Sequence, residues 1–194
     1  GLRGERAAVP ALGRILNAAD SGELVAATLR ALGRIGGADA AKVLSGAKVP
    51  ADLKNLRDDN LLRCADSLLD ESNADAAMKI YSSMTDSQNA TPIRIAAYRG
   101  MILADSGTAV TTVLGLMKDS DPELQEAAGK FMSEIPGSDL TKSLGEQLEG
   151  LSPQAQVVLI GALEARGDKA AAPYIANAAT KGDPAVRVAA LNAL

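Results

Sequence analysis

Asp183-Pro184-Ala185-Val186-Arg187-Val188-Ala189-Ala190-Leu191 joins a helix start to one apolar helix face. The Asp183 carboxylate can accept a backbone N–H at the N-cap. Pro184 suits the first helical position, where its missing N–H would have no partner anyway. Val186, Ala189, Ala190, Ala193 and Leu194 then recur at helical spacing. Thr91-Pro92, Asp121-Pro122 and Ser152-Pro153 have the same form, and the last three prolines of the four starts are spaced by 31 residues.

That spacing runs through most of the chain. Aligning these helices on one core position gives Ala27, Cys64, Ala96, Ala127, Val158 and Ala189, with steps of 37, 32, 31, 31 and 31. A second helix precedes each of them, with core positions Leu12, Val43, Ile80, Val113, Leu144 and Ile175 and steps of 31, 37, 33, 31 and 31. Two registers sharing one period define a helix-pair repeat. The predicted helices are 7–18 and 23–35, 38–46 and 58–70, 74–84 and 92–104, 108–117 and 122–135, 139–149 and 153–166, 169–180 and 184–194. Gly36-Gly37, Asn73, Gly107, Gly137 and Gly167 fall between pairs, where a left-handed C-cap is expected.

One stretch breaks the period. Val43 and Cys64 are 21 residues apart, whereas the equivalent gap is 14 in each of the last three pairs. About seven extra residues, around Ala47 to Lys54, are expected as an exposed loop on one edge. The reading is one array over residues 1–194, with repeats at 7–36, 37–71, 72–105, 106–136, 137–167 and 168–194.

The run from Asp183 to Leu191 resembles the second helix of a HEAT repeat in its short bacterial, phycobilisome-lyase-like form. Pro10 and Pro173 resemble the proline that bends the first helix of that repeat, and Asp183 and Arg187 its turn Asp and second-helix Arg. The resemblance implies an all-α fold, an α-solenoid or superhelix of about six HEAT-like helix-turn-helix repeats. In that family the Asp and Arg bridge neighbouring repeats. Here the Arg position reads Val25, Leu62, Arg94, Gln125, Gln156 and Arg187, so packing rather than hydrogen bonding is expected to hold the middle together.

Composition limits the chemistry. Apolar residues are 47 % of the chain and aromatic ones 2 %, so a core must be built from small aliphatic side chains. The net charge of −4, with few rings, argues against a nucleic-acid partner. No apolar run approaches the roughly 18 residues that span a bilayer, so no membrane insertion is expected. His is absent, which removes Ser-His-Asp and Cys-His catalysis and imidazole metal sites. The His-Glu iron ligands of deoxyhypusine hydroxylase, and the cationic, ring-lined groove of repeat-type DNA glycosylases, have no counterpart. Cys64 takes the place of a small core residue and is read as buried and inert. Asp58-Asp59, Asp70-Glu71 with Asp75, and Asp119 with Asp121 and Glu123 are read as solvated turn carboxylates, since none has calcium-loop spacing. Met78, Met84, Met101, Met117 and Met132 are read as packing. No catalytic, cofactor-binding or metal-binding residue is expected, and no cofactor.

A binding surface remains. Three residues beyond each core marker the sequence reads Arg30, Ser67, Arg99, Lys130, Gly161 and Asn192, a solvent-facing series that is basic in its N-terminal part. Val157, Ile160, Val188 and Leu191 are expected as an exposed apolar patch in the last two repeats. The expected function is a non-catalytic protein-interaction scaffold, or the scaffold region of a larger multidomain bacterial protein, of a kind often exported. The partner would be another protein or an adjacent domain. The alternative is a bilin-lyase-like enzyme or chaperone holding a tetrapyrrole in a concave groove. The apolar pattern reaching Leu194 without a C-cap glycine predicts that the array continues, or that it self-associates there.

Overall fold

A computed structural model describes residues 5–105, 107–132, 135 and 137–194. Among them lie twelve α-helices and no strand: α1 Val9–Ala18, α2 Gly22–Ile35, α3 Gly37–Gly46, α4 Lys54–Asp70, α5 Ala74–Ser83, α6 Thr91–Ala104, α7 Ala109–Met117, α8 Pro122–Met132, α9 Ser138–Gln147, α10 Pro153–Arg166, α11 Ala172–Lys181 and α12 Pro184–Asn192. The fold is all-α, and the helices follow the expected pairs. Positions 106 and 136, expected as the limits of the fourth repeat, and the expected last turn of α8 at 133–134, lie outside the described residues.

The chain divides into two compact units, 1–105 and 106–194. In the first, α2 packs on α4 and α4 on α6, with α1, α3 and α5 beside them. In the second, α8 packs on α10 and α10 on α12, with α7, α9 and α11 beside them. Within each unit the same pair-on-pair contact therefore recurs.

The starts behave as their chemistry requires. Asp121 Oδ1 accepts from the Glu123 N–H at 3.0 Å, Ser152 Oγ from Ala155 at 3.3 Å and Asp183 Oδ1 from Ala185 at 3.1 Å. The fourth start differs: α6 begins at Thr91 itself, with Ala90 at the cap. Pro10 and Pro173 do not bend a helix interior. Each is the second residue of its helix, and α11 directly follows a 3-10 turn at Lys169–Ala171. Gly167 takes the expected left-handed C-cap. Between the second and third pairs Ser72 adopts the positive φ, while Asn73 has a negative φ and caps α5 through the Ala76 N–H.

The period is as read, but the buried column of the second helices lies one residue later. Thr28, Ala65, Ala97, Ala128, Leu159 and Ala190 are all buried; of the expected column Cys64 and Ala127 are buried as well, whereas Ala27 and Ala96 are exposed and Val158 and Ala189 half-buried. The steps are unchanged because every member moves together. Where two alanines adjoin, as at 96–97 and 189–190, methyl groups give no polarity contrast from which to choose the inward one.

The Arg position bonds within its own pair. Arg94 Nε donates to the Thr85 carbonyl at 3.2 Å, Gln125 Nε2 to Asp119 at 2.7 Å, Gln156 Nε2 to Leu151 at 3.0 Å and Arg187 Nε to Ala179 at 3.2 Å. Each ties the second helix to the turn, or helix end, just before it. These four bonds stay inside a pair and do not link one pair to the next. In the first two pairs the position is apolar and buried, Val25 and Leu62.

The inserted stretch is not a free edge loop. Ala47 is buried, Ala51–Leu53 form a 3-10 turn, and α4 starts at Lys54, four residues before the expected 58. Val49, Leu53 and Leu56 pack on the core built from Leu29, Leu32, Leu44, Leu61 and Cys64. Asp58, expected at a turn, is instead wholly buried inside α4. Lys54 Nζ lies 3.1 Å and Arg57 Nη2 2.6 Å from its carboxylate. Lys54 also donates to Asn89 Oδ1 at 2.7 Å, which pins the inserted turn to the α5–α6 loop. Apolar side chains at 49, 53 and 56 make the difference, since an exposed loop would leave them in water.

The few rings need room. Tyr81 is fully buried against Gly100, where a Cβ would overlap the ring, and its hydroxyl donates to Asp66 Oδ1 at 2.6 Å. Gly161, in mid-α10, faces open space. Gly100→Ala is therefore expected to destabilise the protein by about 1–3 kcal/mol through overpacking. Gly161→Ala is expected to stabilise it by about 0.5–1 kcal/mol through helix propensity. Thermal unfolding of the two variants checks both signs.

Candidate interaction surface

The residues expected to make contacts separate on burial. Arg30 and Arg99 are exposed in the first unit, as is Lys130 in the second, where its ammonium lies 2.8 Å from Glu126. Val188 and Leu191 are 60 % and 62 % exposed. Ile160 is only 1 % exposed and Val157 half-buried, so these two are removed from the expected patch.

Their burial follows from position. Helix α10 is packed between α8 and α12. On its α8 side, a Cβ built at Gly129 would stand 3.1 Å from Val158 Cγ1 and 3.6 Å from Ala162 Cβ. One period later Ile160 occupies the place of Gly129, and Ala189 and Ala193 those of Val158 and Ala162. An isoleucine there is a packing residue. Its signal was available in the sequence, since Leu159-Ile160 and Leu163 form one apolar stripe once the column is shifted by a residue. Helix α12 packs on α10 and α11, and its opposite side carries Val188 and Leu191.

Reactive groups elsewhere are occupied. Cys64 is buried, with Sγ 3.9 Å from the Leu32 carbonyl. Burial, reinforced by the nearby Asp66 charge, pushes its pKa from 9.0 up to about 12. Burial, then the hydrogen bond to Asp66, also raises the Tyr81 phenol. Tyr81 lines a cleft of about 280 Å³ with Leu62, Asp66, Asp70 and Arg99. Asp119 and Asp121 accept backbone N–H groups in their own turn at 2.9 and 3.0 Å, as solvated turn carboxylates do. Glu71 pairs with Arg6 and accepts from Ser67. Among the described residues no group of three or more Cys, Asp or Glu side chains could hold a metal ion.

Sequence reading missed one polar cluster. Arg166, in the last turn of α10, donates to the carbonyls of Met132 at 2.5 Å, Ile135 at 2.6 Å and Gly137, and to Thr141 Oγ1 at 3.0 Å. Thr141, itself buried, donates to Asp168 Oδ2 at 2.8 Å. The Ala170 N–H and then this hydroxyl hold the Asp168 carboxyl below the usual range. The cluster gathers carbonyls left over where α8 ends, a capping role. A lone Arg after an apolar run gives no hint of partners some thirty residues earlier.

Among the described residues no helix is long and apolar enough to cross a membrane. No protein-family model matches the chain, and no curated protein matches it in sequence.

A thiol pushed up to about 12 stays protonated at neutral pH, and a protonated, buried thiol is a poor nucleophile. Native protein is expected to react with a disulfide reagent at least about a hundredfold more slowly than unfolded protein, as local opening limits access. Because the folded value is raised, the stability is present below pH 9 and is lost as pH rises toward 12. Stability relative to Cys64→Ala should fall across that window, as read by denaturant titration at successive pH values.

Proposed function

We propose that this chain is a HEAT-like α-solenoid scaffold that binds another protein and catalyses no reaction. The observation that carries the reading is the exposure of Val188 and Leu191 on one helix, 60 % and 62 %, in a chain whose other large aliphatic residues are mostly drawn into pair-on-pair packing. An exposed apolar stripe on an otherwise buried pattern marks a contact surface. The absence of His from the sequence, the burial of Cys64 and the pairing of Asp58 with Lys54 and Arg57 support the non-catalytic part. The regular 31-residue steps and the resemblance of the Asp183 stretch support the repeat assignment.

Both residues lie on the outside of α12, so Val188→Asp with Leu191→Asp should leave the unfolding midpoint unchanged within about 2 °C. Proteins cross-linked to the wild-type chain in its own cells would be identified, purified and titrated against both forms. A partner that binds wild type at least about tenfold more tightly than the double variant is the expected result, roughly 1.4 kcal/mol. If every protein so identified binds the two forms equally, the reading of this surface fails.

A further inference from the structure

Three positions spaced i, i+3 and i+6 in the second-helix register are all aliphatic in the first, fifth and sixth pairs. In the first pair they are Ala26, Leu29 and Leu32, all buried, and the two leucines share a core with Leu61 and Cys64 of α4. In the fifth they are Val157, Ile160 and Leu163, half-buried, buried and buried, on a helix packed against α12. In the sixth they are Val188 and Leu191 on α12 and Leu194 just past its end, and these are 60 %, 62 % and 66 % exposed. The same register that is covered by the next second helix in pairs one and five is bare in pair six.

The covering helix also has a recognisable chemistry. Where α8 meets α10, the side chains facing Gly129 are Val158 and Ala162. One period on, the matching positions on α12 are Ala189 and Ala193. Small side chains four residues apart let the two backbones approach closely enough for the larger stripe to fill the space between them. In pair five, then, the covering helix carries Ala189 and Ala193 at these positions, whereas in pair one the leucines meet Leu61 and Cys64 of α4.

We propose that the Val188–Leu191–Leu194 stripe docks a further helix pair of the same repeat type, whose second helix presents Ala- or Val-sized residues at those two positions. The proposal rests on the repeat reading above and adds the chemistry of the partner. It continues an interface already present between α10 and α12, and needs no new mode of packing.

The test extends the chain by one period and reads the stripe directly. A copy of residues Glu164–Leu194, 31 residues, is joined after Leu194, so that its small positions fall in register. Leu191→Cys then gives parent and extended chains an accessible thiol beside the buried Cys64, in a side chain that still packs as a small hydrophobe. Labelling at position 191 is expected to slow at least about tenfold in the extended chain, as it does where a site must open before reacting. Val188→Asp in that chain should return the rate to that of the parent. Equal rates in parent and extended chains would overturn the proposal, whether or not the added segment is helical. Labelling of the parent that slows as its concentration rises would assign the stripe to a second copy of this chain, and would also overturn it. Neither result depends on the protein partner sought above.

Discussion

Two helices can approach closely only where the side chains between them are small, and this chain buries a small side chain at one register position in five of its six pairs. Ala65, Ala97, Ala128 and Ala190 are each fully buried in the second helix of a pair, with Thr28 and Leu159 in the same register. With aromatic residues at 2 %, leucines and alanines fill most of the core. Stability must come from many short contacts between aliphatic side chains, each weak but numerous at native packing density. A substitution that enlarges one of these positions pushes a helix away from its neighbour, and the loss extends along the whole line of contact.

The constraint also decides where polar groups go. A close-packed line of alanines offers no hydrogen bond to the turns, so those turns are satisfied from the side. Arg94, Gln125, Gln156 and Arg187 each reach back to a carbonyl of the turn, or helix end, before their own helix. Arg166 does the same for the end of α8, at Met132, and for Ile135 beyond it. The large rings obey the same rule in reverse: Tyr81 lies over Gly100 and Tyr174 over Gly145, where a missing Cβ leaves the space. Asp58 is the exception that needs charge to resolve it, and two cations face its carboxylate.

Helix order and spacing were legible because proline-led caps and a fixed step repeat along the chain. The phase of the buried column was not. Ala96 and Ala97 differ in nothing that a sequence displays, yet one is exposed and the other wholly buried. The same one-residue error carried Ile160 onto the expected surface, while Val188 and Leu191 stayed there because α12 has its packed neighbours, α10 and α11, on one side. The inserted stretch misled for another reason. Its length signalled a loop, but Val49, Leu53 and Leu56 carry enough apolar surface to fold it back on the core. The carbonyl-binding side chains could be read as polar positions in a register, but their partners depend on how each turn closes.

The neighbouring alanines at 96 and 97 allow the most direct test of the small-residue column. Thermal unfolding would be compared for Ala96→Gln and Ala97→Gln, two changes identical in chemistry and one residue apart. Ala97 is wholly buried and Ala96 exposed, so a glutamine at 97 must force a polar side chain between close-packed helices. The account predicts a loss of at least about 2 kcal/mol for Ala97→Gln and no more than about 0.5 kcal/mol for Ala96→Gln. Equal losses at the two positions, or the larger loss at 96, would contradict it.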